Sequence, residues 1–350
     1  MSEPTTPTRA RTVPAEAGQT PSSSSAGSPV RAFFSGSAGR NVGLVVALVV
    51  MLIVGAITAP GTFLTVDNVF VILRQASITG VVAIAMTLVI IAGGIDLSVG
   101  SVVGLASVVG TLAVVQDLAD SMHWIVFVIF ALAVGAAAGL INGIVIAYGN
   151  VVAFMATLAM LVGARGLAEI LAERRTLVVE DRSFITFMNA DILGVNMLIW
   201  IFAIVAVLGW VLLNRTTFGR RTVAIGGNRE AARLAGINVK RHVMWLYVLA
   251  GLASGIAGVM FLGRTTAGSS TNGQLLELDV IAAVVVGGTL LVGGRGTITG
   301  TVFGVLIFAT LTNVFIQNNL SSSVQAVAKG VIIVVAVLLQ QRFSRAPGRG

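Results

Sequence analysis

Cysteine is absent from this chain, and histidine occurs only twice, at His123 and His242. The first absence excludes disulfides, thiolate metal sites and thiol catalysis, and leaves the compartment open. Two histidines so far apart do not make an imidazole-rich metal site, so no metal ligands are expected. Charge is scarce: 10% of the residues are Asp, Glu, Lys or Arg, and the acids are dispersed. No carboxylate pair and no Ser/His/Asp cluster emerges, so no catalytic residue is assigned and a membrane enzyme is disfavoured. A phosphate-binding lysine loop is missing, so ATP is not bound by that route and no cofactor-binding residue is expected. Chains of Asp, Glu or His inside apolar segments, which proton- or sodium-driven carriers need, are missing as well.

What is present is apolar. Of 350 residues, 56% are hydrophobic and the mean hydropathy is +0.97, outside the range of a soluble domain. The formal charge of +8 invites a nucleic-acid reading. The basic residues, however, are scattered among apolar runs, and no folded basic face remains to grip a phosphate backbone, so no nucleic-acid partner is expected. Residues 1–40 are rich in Ser, Thr, Pro and Gly and read as a disordered tail. The apolar run from Asn41 to Ala59 is too long and starts too late for a cleaved signal peptide.

Ten stretches approach the roughly 20 apolar residues that cross about 30 Å of hydrocarbon. They lie near 41–59, 69–92, 98–116, 124–147, 151–172, 195–213, 242–263, 279–293, 298–317 and 324–340. The predicted fold class is therefore an all-α polytopic membrane protein of about ten transmembrane helices, with a membrane domain over 41–340 and a short tail over 341–350. An even number of spans puts both termini on one side. That side, with the tails, the loop 214–241 and the turns holding Asp96 and Arg295, carries 15 Arg/Lys and 4 acids. The opposite loops carry 4 Arg/Lys and 9 acids. Lys and Arg favour the cytoplasmic face, so both termini are predicted to be cytoplasmic. The one long external segment, 173–196, has room for a short surface helix.

An internal repeat is visible at an offset of 200. IAGGIDLSVGSVVG (91–104) aligns with LVGGRGTITGTVFG (291–304), placing Gly93, Gly94, Gly100 and Gly104 on Gly293, Gly294, Gly300 and Gly304. Each copy joins two spans, and glycine-interrupted repeats are a common transporter device. In the first turn, glycines allow close backbone approach and Asp96 is placed to cap the next helix. The same turn, with Ser98, also qualifies as a polar gate on a translocation path, together with Gly293, Gly294 and Arg295, because charge near a membrane is costly without a purpose. Arg165 and Glu169 stand one helical turn apart and are expected to pair. Lys329 is expected to snorkel outward. The small-residue runs Gly135–Gly139 and Gly251–Gly255 fit close helix packing.

Loop 214–241 concentrates seven Arg/Lys against one acid, Glu230. A short helix is predicted inside it. Asn228 is a cap, Arg229 to Leu234 are good helix formers, and Gly236 is placed to end the helix. A helix of one or two turns cannot hold itself together, which points to docking on a soluble partner.

Three motifs now combine: LRQASITGVVAIAMTLVIIAGGIDLSVGS (73–101), AIGGNREAARLAGINV (224–239) and ELDVIAAVVVGGTLLVGGRGTITGT (277–301). Together they resemble the signatures of bacterial ABC-importer permeases of the ribose and xylose type, within the branched-chain and ribose transport permease superfamily. The likeness runs from about Leu44 to Leu339. It implies a ten-helix subunit in the bacterial inner or plasma membrane, working with a second permease subunit as a homo- or heterodimer. It further implies a cytoplasmic ATP-binding-cassette ATPase, which binds the ATP, and an extracytoplasmic sugar-binding protein. By the resemblance, the short helix is the coupling helix: Glu230-Ala231-Ala232, three residues, then Gly236 match its pattern, with Gly227, Asn228 and Arg229 leading in. The Leu-Pro that ends longer versions is missing. At the fifth span, Val152 and Ala159 replace the usual proline and glycine, which weakens a substrate assignment by analogy. Aromatics are 6% of the chain, few for the platforms of a sugar site, so selectivity is expected to rest mainly with the binding protein. The cargo stays open between a monosaccharide and another small polar solute, such as a signalling furanose or a cyclitol. An ion-coupled carrier is the reading from a different class.

Overall fold

A computed structural model describes residues 37–344, and structural statements below concern those residues. Fourteen helices account for most of them. In chain order they are α1 (Ser37–Thr58), α2 (Val66–Ile91), α3 (Val99–Gly110), α4 (Ala113–Ser121), α5 (Ile125–Ala147), α6 (Ala153–Leu171) and α7 (Arg182–Met188). After these come α8 (Met197–Arg215), α9 (Thr217–Gly227), α10 (Arg229–Leu234), α11 (Val239–Thr265), α12 (Leu276–Val286), α13 (Ile298–Gln317) and α14 (Ser322–Ser344). Strands are limited to two short antiparallel ladders. One pairs β1 (Leu177–Val178) with β4 (Ala267–Gly268), the other β2 (Asp191–Ile192) with β3 (Val195–Asn196). The terminal helices extend a few residues into the segments predicted as tails; the remainder of both tails lies outside the described residues.

Six helices are long and apolar enough to cross a membrane, seven if the bent pair α3–α4 counts as one span. Six of the ten predicted stretches match those helices; the first is a shorter apolar helix over Val42–Thr58, the last, in α14, is not among the six, and the third and eighth depart from regular spans. The third, 98–116, breaks after Gly110, and α4 turns away by 57°. The eighth is the 11-residue α12, which starts at Leu276 and ends at Val286. Its continuation to 293 is a turn in which Gly288 and Gly293 adopt positive φ, a backbone conformation incompatible with extending the helix.

Helices α2, α11 and α13 form the buried centre, with α5 laid along α11. The two predicted small-residue runs face each other there. A Cβ on Gly135 would stand 2.2 Å from the Gly251 carbonyl, and one on Gly251 would stand 2.0 Å from the Gly135 carbonyl. Only glycine permits that approach, which replaces side-chain packing by backbone contact. Two polar pins tie α2 to α13: Thr87 Oγ1 lies 2.6 Å from Thr301 Oγ1, and the amides of Asn68 and Asn313 exchange bonds of 3.0 and 2.8 Å. Outer faces of α1, α6, α8 and α14 are apolar and exposed, with Ile57, Ile170, Leu208 and Val327 among them. Such surfaces fit hydrocarbon or another subunit rather than water.

Lys329 does not snorkel. Its Nζ donates to Asp279 Oδ2 at 2.8 Å and ties α14 to α12, because Asp279 lies within reach on the neighbouring helix and a partner charge outweighs free solvation of a half-buried ammonium.

Candidate functional site

The short helix predicted in the basic loop is α10. Its N-cap is Asn228, whose side chain accepts from the Ala231 N–H at 2.9 Å. At its other end Gly236 has φ +83°, the Gly236 N–H donates to the Arg233 carbonyl and the Ile237 N–H to the Ala232 carbonyl. These two bonds form a Schellman cap, which satisfies the carbonyls that a six-residue helix leaves bare. Ala232 is buried and anchors α10, whereas Arg229, Glu230, Ala231 and Leu234 are exposed. Glu230 pairs with Arg233 through Nε–Oε2 at 3.0 Å and a second contact from Nη2. The hydrogen bond from Arg233 holds the Glu230 carboxyl below its ordinary range. All seven basic residues of the loop are exposed, and the apolar Leu234, with the less exposed Val223, stands among them.

Just before the Asn228 cap of α10, three stretches distant in sequence meet backbone to backbone. The turn after α2, the turn before α13 and the C-terminal end of α9 contribute Gly93, Gly293, Gly294, Gly226 and Gly227. The Gly294 N–H donates to the Ile91 carbonyl at 2.8 Å. A Cβ on Gly226 would stand 1.7 Å from that same carbonyl, and one on Gly293 would stand 3.1 Å from the Gly93 Cα. The geometry thus joins the predicted gating glycines to the predicted coupling segment, a link that the separate motifs did not show. Gly226 belongs to this junction although only Gly227 was singled out from the sequence; the GG pair before the cap was the available signal.

Asp96 and Arg295 do not come together. Asp96 is buried, and its Oδ1 accepts from the Ser98 N–H at 2.9 Å and from Ser98 Oγ at 2.6 Å. Ser98 occupies the N-cap position of α3, so Asp96 orders the residue before the helix rather than capping a first-turn N–H. Asn142 on α5 donates to Ser98 Oγ at 2.9 Å, and Tyr247 OH reaches the Ile95 carbonyl at 3.4 Å. Gly94 is required by that tyrosine: a Cβ there would lie 2.6 Å from Tyr247 OH. Arg295 is exposed.

Arg165 does not pair with Glu169. Glu169 faces Arg174, 3.7 Å from its Nε, while Arg165 Nη1 donates to the carbonyls of Ser270 and Asn272, the latter at 3.1 Å. The carbonyls win because the 266–275 segment, joining α11 to α12, is not helical and leaves them without internal partners. Glu277, predicted in an external loop, is instead buried at the start of α12. No group of three or more His, Cys, Asp or Glu that could hold a metal occurs among the described residues.

The comparisons with known proteins point the same way over nearly the whole chain. Residues 68–338 match a family model described as the permease component of branched-chain amino acid transport systems. The ribose import permease protein RbsC of Escherichia coli strain K12 is 39% identical over 309 residues, 85% of this chain and 92% of that protein. Its Bacillus subtilis strain 168 counterpart is 39% identical over 307 residues, 87% and 94% of the two chains. The L-arabinose transport system permease protein AraH of E. coli strain K12 is 39% identical over 333 residues, covering 93% and 98%. No solved structure matches significantly.

Proposed function

Because this chain belongs to the permease-component family of branched-chain amino acid transport systems, we propose that it is the membrane-spanning subunit of an ATP-binding-cassette importer for a monosaccharide. The observation that carries this reading is near full-length similarity, at 39% identity, to permeases for two different pentoses. The reading comprises about ten spans in a bacterial inner or plasma membrane, both termini cytoplasmic, and a second permease subunit across the path. Solute arrives from an extracytoplasmic binding protein, and a separate ATPase supplies energy. Exposed α10, with its rigid caps and Leu234 projecting among cations, is the proposed coupling helix. The glycine junction just before its cap passes ATPase movement to both repeat turns, since no flexible side chain lies between them.

Equal identity to ribose and arabinose relatives does not choose between the two sugars. The test is uptake of labelled D-ribose and L-arabinose by cells carrying the permease with its companion ATPase and binding protein. Uptake of one or both that disappears without the ATPase supports the reading; uptake by the permease alone would indicate a carrier. Sidedness is read on the cysteine-free background: Asn189→Cys should react with an impermeant thiol reagent in intact cells, and Asn238→Cys should not. Labelling at Asn238 from outside would overturn the orientation.

A further inference from the structure

Between α11 and α12 the chain does not simply cross a loop. From Gly268 to Glu277 it runs back along α3, from the level of Thr111 to the level of Gly100. A Cβ on Gly268 would meet Thr111 Oγ1 at 2.0 Å, and one on Gly273 would meet the Gly100 carbonyl at 2.6 Å. From Gly100 to Thr111 a helix rises about 16 Å, roughly half the hydrocarbon thickness. This backbone is non-helical, with positive φ at Thr266, Gly273 and Leu275. Its polar groups are met by Ser107, whose Oγ accepts from Asn272 Nδ2 at 3.1 Å, and by Arg165 on the Ser270 and Asn272 carbonyls.

Two features remain after that bonding is complete. Thr271 and Gln274 are exposed. Irregular polar backbone at membrane depth does not face lipid; it is tolerated against protein or water. Between those two, the polar Thr271 and Gln274 favour water on this side, although Leu275 and Leu278 are exposed beside them. The second feature is Glu277, only 8% exposed, whose Oε2 has no hydrogen-bond partner among the described residues. Gly100 makes room for that oxygen, since a Cβ there would stand 2.2 Å from it. Arg165 exerts the nearby positive field but forms no ion pair with it among the described residues. Nε and Nη2 of Arg165 likewise make no hydrogen bond there, only Nη1 being engaged.

We propose that Glu277, Arg165, Thr271 and Gln274 form a solute-contact site on this re-entrant segment, and that its occupant is a neutral polyhydroxylated molecule of monosaccharide size. This rests on the permease reading above and identifies where the cargo touches the subunit. One positive and one negative group, against Gly104 and Gly100 one turn apart on α3, offer no net charge to an ion. They match a vicinal diol, in which hydroxyl hydrogens are donated to the carboxylate and hydroxyl oxygens accept from the guanidinium. Discontinuous helices near the membrane centre are where transporters commonly place such contacts.

The test uses full-length permease in membrane vesicles, carrying Gln274→Cys as the single cysteine. The rate of its modification by a small charged methanethiosulfonate is measured with and without saturating D-ribose or L-arabinose. Thr271→Cys is a second reporter and Asn189→Cys a control remote from the segment. Sugar should slow modification at least fivefold at one or both reporters and leave the control unchanged. Glu277→Gln, isosteric with the native side chain, should abolish the protection, and Glu277→Asp should keep part of it. Full protection in Glu277→Gln, or none in the native background while the complete importer still takes up the sugar, overturns the site. Failure of the complete importer to take up any sugar tested would instead overturn the permease reading on which the site rests.

Discussion

The two copies of the glycine repeat use the same spacing for different ends. In the second copy, Gly300 and Gly304 of α13 lie against the carbonyls of Gly287 and Ala283, at 2.1 and 2.0 Å from where a Cβ would be. That is a dry contact between helix α13 and the end of α12. In the first copy, Gly100 and Gly104 of α3 face the re-entrant segment, where the nearest atoms are Glu277 Oε2 at 2.2 Å and Arg165 Nη1 at 2.8 Å. Glycine in either copy supplies only closeness. Whether closeness yields apolar packing or a polar recess depends on whether the partner is the end of a helix or an irregular run of turns, some of whose carbonyls need donors from elsewhere.

The largest effect should come from filling the dry copy. Gly300→Ala and Gly304→Ala push a methyl into a backbone carbonyl that has little room to retreat, at a cost of about 1–3 kcal/mol each. A clearly lowered apparent Tm in detergent, with reduced membrane abundance, is expected. A thermal stability equal to wild type would mean that the two copies do not differ in rigidity. Gly104→Ala should cost less, because the end of the Arg165 side chain at 2.8 Å and the Asn272 and Ser270 carbonyls at 2.9 and 3.0 Å all stand farther off than the Ala283 carbonyl does from Gly304, at 2.0 Å. It should nevertheless reduce uptake several-fold at normal abundance, since Arg165 is displaced. Equal stability loss at Gly104 and Gly304 would remove the contrast.

Both turns rest on α9, so a change in α10 should affect the copies alike and leave folding intact. Gly236→Val places a β-branched residue at φ +83°, where the left-handed region costs roughly 1–2 kcal/mol, and Glu230→Arg removes the partner of Arg233. Both variants should insert normally, yet recover less ATPase on co-purification and uncouple hydrolysis from uptake. Full recovery and normal uptake would reduce the loop to a passive connection. The smallest effect is expected where the turns diverge, at Asp96, opposite Gly296 in the other copy. Asn also accepts from the Ser98 N–H and hydroxyl, so Asp96→Asn should transport within about twofold of wild type. A several-fold loss at normal abundance would show that the charge itself serves the path.

Much of the helical layout was legible because it is local. Apolar runs long enough to span, the Asn228 cap and the Gly236 stop depend on residues a few positions apart. The small-residue runs at 135–139 and 251–255 likewise announced close packing, although not that they would pack on one another. Glu277 was illegible for a definite reason. It sits beside an apolar run in a stretch rich in Gly, Ser and Thr, and hydropathy reads such a residue as loop. Arg165 was misassigned because one-turn spacing on a helix makes Glu169 a reasonable partner when no other is in view.

The sequence by itself determined that the chain is a helical membrane protein, where glycine interrupts its helices, and that one short, capped helix stands in a basic loop. Hydropathy, capping and turn chemistry act over a few residues and are carried by residue types. Only the tertiary structure decided that the two repeat turns and α9 share one backbone junction. It alone turned the segment after α11 back along α3 and left a buried carboxylate oxygen free of partners there. Those outcomes depend on which segments approach within about 3 Å, the reach of a hydrogen bond, between residues far apart in the sequence.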